Sequence, residues 1–376
     1  MYQRLILKIA SKLGLLGFLV LGILSFWHTS ALASVELRVL IKKTNPSLTV
    51  GSSTPAVIRD AGGKVLGQVA GMNSFNSKIS KNNVNLGQWN GSRLWLEPTG
   101  DGVVWIGDNW YRGRVLLLPE GNGVTAVNYV DMEDYLYSVV GAEAVPSWPQ
   151  EALKAQAVAA RSYALHQRNT SRNGEYDVDS STKSQVYKGL ASEYTTTHQA
   201  VKSTADEVMT YDGRVILAVF HSSSGGHTEN VEDIWTSPLP YLRGVVDYDQ
   251  TSPVFQWSKS VEPSQLRQVV GNIGNIRAIV PEKTTPQGRV VSLRVEGDRS
   301  SRSLQGADVR RALDLRSTLF RMSLANGGLQ VSGRGFGHGI GLSQWGTFYL
   351  AQNGVNYQQI LAHYYQNARI SRIQTR

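Results

Sequence analysis

The chain contains no cysteine in 376 residues, which excludes disulfides, thiol chemistry and cysteine-rich zinc sites. Stability must therefore come from a hydrophobic core. Beyond the N-terminus no apolar run approaches the about 20 residues that a membrane-spanning helix needs. No run of Lys or Arg stands out, so nucleic acid is not an expected partner. Walker, metzincin, G-x-S-x-G and G-x-G-x-x-G patterns are also missing, and a serine nucleophile or a dinucleotide site has no support.

The first residues bear on the compartment. Arg4, Lys8 and Lys12 precede an apolar run from Leu13 to Trp27, and Ala31-Leu32-Ala33 forms a small-x-small cleavage site before Ser34. Residues 1–33 read as a secretory signal peptide, with export to the periplasm or the cell wall and exterior. The alternative is an uncleaved signal anchor, which would be the protein's one membrane contact. Loss of three basic residues with the signal lowers the formal charge from +9 to +6. A moderately basic exported protein is drawn to anionic polymers or membrane surfaces, although such a charge is often a solubility feature.

Residues 34–130 consist of short alternating or apolar runs broken by Gly, Asn, Pro and Asp, a β-rich pattern. Gly113–Leu118 and Val124–Val130, separated by Glu120-Gly121-Asn122-Gly123, read as a hairpin. Trp95, Trp105 and Trp110 fit either core packing or a sugar-stacking face. A mixed region of helices and strands spans 131–376, with an α+β insertion at about 255–320, so the fold class is α+β.

The stretch EAVPSWPQEALKAQAVAARSYAL, residues 143–165, organises this second region. Ser147 and Gln150 stand at capping-box spacing, which predicts a helix start there and leaves Glu143 outside it. Leu153, Ala157, Ala160 and Ala164 repeat at helical spacing on a thin, alanine-rich helix suited to the centre of a domain. Glu143 sits among apolar neighbours that offer little solvation. It reads either as a general acid with a raised pKa or as an ordinary surface glutamate. Asp131, Glu133 and Asp134 could supply a second carboxylate, but an acidic cluster also caps a helix.

Two further stretches carry chemistry. HSSSGGHTEN, after the apolar run Val215–Phe220, predicted as a buried strand, lets hydroxyls and amides converge on a ligand; it is equally a plain Ser/Gly turn. His221 and His227 lack a matching third metal ligand. GRGFGHGIGLSQWG, with glycines at 333, 335, 337, 339 and 341, permits close backbone approach to a strand or a ligand.

Together and in this order, the three stretches resemble the SpoIID/LytB family, named for stage II sporulation protein D and a cell-wall amidase enhancer. The matching residues run from Glu143 to Leu165, from Phe220 to Thr228, and over GRGFGHGIGLSQWG with HYYQNARI behind it. The resemblance implies a SpoIID-like catalytic core and a peptidoglycan lytic transglycosylase in which Glu143 is the catalytic acid. Gln185, Tyr187, Ser223, Ser224, His338 and Gln344 are the expected substrate contacts, or equally residues that hydrogen-bond behind the contact surface. Glu151 is expected to support the helix start. Arg161 is expected either to form an ion pair or to bind the lactyl carboxylate of the substrate.

The chain departs from the family pattern at two places. Ala144-Val145 stands where many relatives have Met-Pro, and Lys183-Ser184-Gln185 where some have a His-Cys pair. The second departure implies a site without metal, and no cofactor is expected. Peptidoglycan glycan strands are the implied partner, with a cell-wall amidase as the partner under the alternative reading of a non-catalytic amidase enhancer.

Overall fold

In Glu36–Asn45, Leu37 and Val39 are fully buried while Glu36 and Arg38 face outward, the period-two pattern of a half-buried strand. This strand pairs antiparallel with Gly123–Asp131, setting Leu37 opposite Val130. The computed structural model describes residues 35–172, 174–235, 237–325 and 328–373; the expected signal segment lies outside the described residues.

The first sheet has seven strands, in the order Val178–Asp179, Glu36–Asn45, Gly123–Asp131, Arg114–Glu120, Leu94–Pro98, Ala56–Asp60 and Val65–Val69. The expected hairpin is its centre, with Glu120 paired to Gly123 across a two-residue turn. A six-stranded sheet built from residues between Ser47 and Tyr111 shares its core, through Val50, Val84, Val104 and Ile106. The N-terminal region is thus strand-rich, and with the helices that follow the fold is α+β. Trp105 and Trp110 pack edge to face at 5.2 Å, and Trp95 packs on Tyr129 at 4.6 Å.

Helix α1 (Met132–Glu143) starts at Asp131, whose carboxylate accepts from the N–H groups of Glu133 and Asp134. The acidic cluster therefore caps a helix. Glu143 lies outside the alanine-rich helix, as the last residue of α1. Helix α2 (Gln150–Thr170) has Pro149 at its N-cap with no side-chain cap. Ser147 plays no capping role because it stands two residues before the N-cap, and the Gln150 amide donates instead to the Thr196 carbonyl at 3.2 Å. Leu153, Ala157, Ala160 and Ala164 are fully buried as predicted, and so are Ala155, Val158 and Ala159. A helix buried on so much of its surface belongs at a domain centre. α2 packs against α1, α3 (Thr195–Ser203) and the two closing helices Gln344–Gln352 and Tyr357–Tyr364.

In Val215–Phe220 the residues Ile216, Ala218 and Val219 are buried and the others partly so, yet Ile216–Val219 is not a regular strand. Val215 ends a short strand paired antiparallel with Thr210, and Phe220–His221 pairs in parallel with Leu342–Ser343. Likewise the segment around Gln185–Tyr187 is irregular, and the short strand of that loop is Val178–Asp179. A second hydrophobic cluster, from Val261 to Val331 and including Leu266, Leu293, Val295 and Val309, lies under two three-stranded sheets and two short helices. No helix among the described residues is long and apolar enough to cross a membrane.

Candidate active site

The end of α1 presents Glu143 to a loop that is fixed residue by residue. Gln185 is fully buried, accepting from the Tyr135 hydroxyl at 3.0 Å and donating to the Ala160 carbonyl at 3.3 Å. Tyr187 is buried too, donating to Asn128 Oδ1 at 2.9 Å, and the Lys188 N–H donates to the Ser138 hydroxyl at 3.2 Å. Between them the Val186 N–H donates to Glu143 Oε1 at 2.6 Å. Gln185 and Tyr187 thus act as pegs that hold one amide at one carboxylate. The expectation that they contact substrate is corrected: both are sealed inside the fold with their polar atoms already bonded.

Burial pushes the half-buried Glu143 carboxyl above the usual carboxylate range, opposed by the Val186 N–H, the Gln344 amide and the Lys188 charge. Partial desolvation favours the protonated form that a general acid needs.

Two other stretches meet this carboxyl. Ser223 and Phe336 exchange backbone hydrogen bonds of 3.0 and 2.8 Å, and the Trp345 N–H donates to the Ser222 carbonyl at 3.0 Å. Glu143, His221, Ser222, Phe336, Gly337, His338 and Gln344 all line one cavity of about 610 Å³, together with Tyr163, Lys183, Trp235 and Arg310. The three stretches singled out in the sequence therefore share a cleft.

Ser223 and Ser224 lie behind its wall. Both are fully buried; the Ser223 hydroxyl donates to Asp249 and the Ser224 hydroxyl to Asp247 Oδ2 at 2.6 Å. This corrects their assignment as substrate contacts: two buried aspartates consume their hydroxyls. The Gly225 N–H also donates to Asp249, at 2.8 Å, and Tyr364 donates to Asp247 at 2.7 Å. Asp247-Tyr248-Asp249 was not recognised from sequence, where two carboxylates flanking a Tyr look like a solvated turn.

His338 does line the cavity, but its ring is committed. Nε2 donates to the Phe220 carbonyl at 2.9 Å, and Nδ1 accepts from the Ile340 N–H at 3.1 Å. These partners fix a neutral tautomer, and burial lowers its pKa to about 4. His221 is also held neutral, chiefly by burial, with His338 and Arg289 nearby. Its Nδ1 meets the Ile340 carbonyl at 3.1 Å. The Gln344 amide reaches Glu143 as well as Gln156. Among the predicted contacts, His338 and Gln344 are the ones on the cavity wall.

The glycine-rich stretch is small for a local reason. A Cβ on Gly339 (φ +82°) would stand 2.4 Å from the Arg289 guanidinium, and one on Gly337 (φ +117°) 2.6 Å from His221 Cβ. Arg289 is buried, donates to the Ser224 carbonyl at 2.6 Å and pairs with buried Glu229 at 3.5 Å. Burial lowers its pKa to about 10, which leaves it cationic at neutral pH.

Arg161 is fully buried and makes a two-pronged ion pair with Glu133 at 2.6 and 2.7 Å, so it has no reach to substrate. Glu151 bonds Lys154 and the Tyr357 N–H at the start of α2. Trp148 packs on Trp345 and Phe348 at 5.0 and 5.2 Å, tying the turn after Glu143 to the helix after Ser343. Two cavity aromatics are open to solvent, Trp235 (40% exposed) and Phe336 (42%), flat faces of the kind on which sugar rings stack. The His227 Nδ1 lies 2.6 Å from the Thr228 carbonyl, and among the described residues no group of three or more acidic, His or Cys side chains is placed to hold a metal.

These features define an α+β protein with one half-buried carboxyl in an open cleft lined by aromatic and cationic side chains. Residues 120–211 match the family described as stage II sporulation protein, and residues 240–341 match a domain of unknown function. Stage II sporulation protein D of Bacillus subtilis is 33% identical over 264 residues, covering 65% of this chain and 76% of that protein. An uncharacterised protein of Brachyspira hyodysenteriae is 32% identical over 280 residues, covering 72% and 75%. The amidase enhancer of B. subtilis is 27% identical over 296 residues, covering 63% of this chain and 40% of the enhancer. The chain belongs to the SpoIID family.

Proposed function

We propose that the protein is an exported cell-wall enzyme, a lytic transglycosylase that cleaves the MurNAc–GlcNAc bond of peptidoglycan glycan strands with Glu143 as its acid and base. One observation carries this reading: Glu143 is the single Asp or Glu on the cavity wall among the described residues. A conventional glycosidase needs two carboxyls, about 5–5.5 Å apart when retaining and about 6.5–9.5 Å apart when inverting. Glu133 is tied to Arg161, and Asp131 caps α1.

One carboxyl suffices when the substrate supplies its own nucleophile. Protonated Glu143 gives its proton to the glycosidic oxygen as the bond to muramic acid C1 breaks, and the GlcNAc hydroxyl leaves. The resulting carboxylate takes the proton of the muramic C6 hydroxyl as O6 bonds to C1. The product carries a 1,6-anhydro ring, and Glu143 ends protonated for the next cycle. The raised proton affinity of Glu143 suits the first step, while the Val186 N–H steadies the anion formed between the two.

Digestion of purified strands, followed by mass analysis of the new ends, tests this. Anhydro-muramic ends that vanish in Glu143→Gln support it, and reducing ends point to hydrolysis. The similarity to an amidase enhancer motivates a second reading, a non-catalytic wall-binding partner of an amidase. Absence of any cleavage, with stimulation of an N-acetylmuramoyl-L-alanine amidase, would favour that reading.

A further inference from the structure

The cavity beside Glu143 also holds Arg310, from the short helix Gly306–Ala312. The two fully buried arginines each have a carboxylate: Arg161 has Glu133 and Arg289 has Glu229. Arg310 has none among the described residues. Its Nε donates to the Leu315 carbonyl at 3.2 Å, and the remaining guanidinium N–H groups have no protein acceptor among the described residues. Burial lowers its pKa, and no anion opposes that effect. A partly desolvated cation without a counter-charge is costly to keep, and its planar fork fits a carboxylate in two-pronged fashion. Lys183 adds a second positive side chain to the same cavity, while exposed Phe336 carries the wall onward to a neighbouring cavity lined by Trp257, Arg316 and the Lys259–Asp314 ion pair.

We propose that Arg310 reads a carboxylate carried by the glycan strand and so selects muramic acid over plain amino sugars next to Glu143. This rests on the glycan-cleaving reading above and assigns a task to the region that matches a domain of unknown function. The carboxylate belongs either to the lactyl ether of muramic acid or to an acidic residue of an attached stem peptide. Both present the same group to the same guanidinium.

The test measures calorimetric binding of strands to the full chain carrying Glu143→Gln, so that nothing is consumed. Three probes are used: peptide-free strands, the same strands with their carboxylates amidated, and peptide-bearing strands. Adding Arg310→Gln weakens binding of peptide-free strands by about 10- to 100-fold, the usual range for a charge-assisted bond. It leaves the amidated strands unaffected, and Arg310→Lys restores part of the loss. A loss confined to peptide-bearing strands upholds the proposal and moves the carboxylate to the stem. Equal affinity of the two proteins for every probe overturns it, as does an equal loss on the amidated strands, which would mark Arg310 as a support of the fold. Failure of the glycan-cleaving reading is seen separately, as strands that gain no new ends in the digestion above, and binding of no strand by either protein overturns the inference itself.

Discussion

Replacing Glu143 with Gln separates what the carboxyl does for catalysis from what it does to the fold. The amide keeps the size of the side chain, and its oxygen still accepts from the Val186 N–H that now lies 2.6 Å away, so the cavity wall is preserved. What disappears is a transferable proton. General acid–base catalysis contributes about 10²- to 10⁴-fold, which is about 3–5 kcal/mol of barrier at 1.36 kcal/mol per factor of ten. Release of anhydro-muramic ends by Glu143→Gln should therefore fall by that factor, whereas in the unaltered protein cleavage declines as pH rises through the elevated pKa of the acid. Stability should move the other way. A carboxyl raised in the fold contributes stability below its unfolded pKa, near 4.3, and loses it as pH rises through the folded value. At neutral pH the ionised Glu143 is a burden, so Glu143→Gln should melt at or above the temperature of the parent, with the difference closing below about pH 4. A loss of less than tenfold in cleavage, or a variant less stable than the parent at pH 7, would refute the reasoning.

Other outcomes follow from particular contacts. Arg161→Ala leaves Glu133 without its partner and frees the Glu207 and Val201 carbonyls; a loss of about 3–5 kcal/mol in urea unfolding is expected, with strand affinity per folded molecule unchanged. Ser223→Ala strips a hydroxyl donor from buried Asp249 and should cost about 1–3 kcal/mol in the same assay. Gly339→Ala combines positive φ with a Cβ 2.4 Å from Arg289, and a drop of about 1–3 kcal/mol is expected, measured by thermal unfolding. His338, with its pKa lowered to about 4, makes the fold acid-sensitive: stability is retained above about pH 6.5 and is lost as pH falls toward 4, because the unfolded chain binds the proton first. Nitrogen NMR of His338 should show a neutral ring with the proton on Nε2 at pH 6; a titration near 6.5 would contradict the bonds assigned to it.

The central helix was legible because small and apolar residues recur in it at helical spacing, and Leu153, Ala157, Ala160 and Ala164 are buried accordingly. The hairpin at Gly121-Asn122 was legible because turn chemistry is local. Glu143 could be picked out with help from the family likeness, but its place at the end of α1 could not, since Gly141 inside the last turn reads as a break. That glycine is explained by a distant group: a Cβ there would stand 2.1 Å from the Ser192 carbonyl. The same limit applies to the Ser/Gly loop. Its serines look like ligand donors until Asp247 and Asp249 arrive from more than twenty residues away. Arg310 carries no local signal, because its meaning depends on the carboxylate that is missing around it.

The Val186 amide has one more consequence. Glu143 takes its shortest hydrogen bond from a loop whose tip, Ser181 to Lys183, is exposed. Pulling that loop outward removes the donor that favours the anion, and the acid becomes weaker; pressing it inward makes the acid stronger. The strength of the acid is thus set by how firmly buried Gln185 and Tyr187 hold that loop in place.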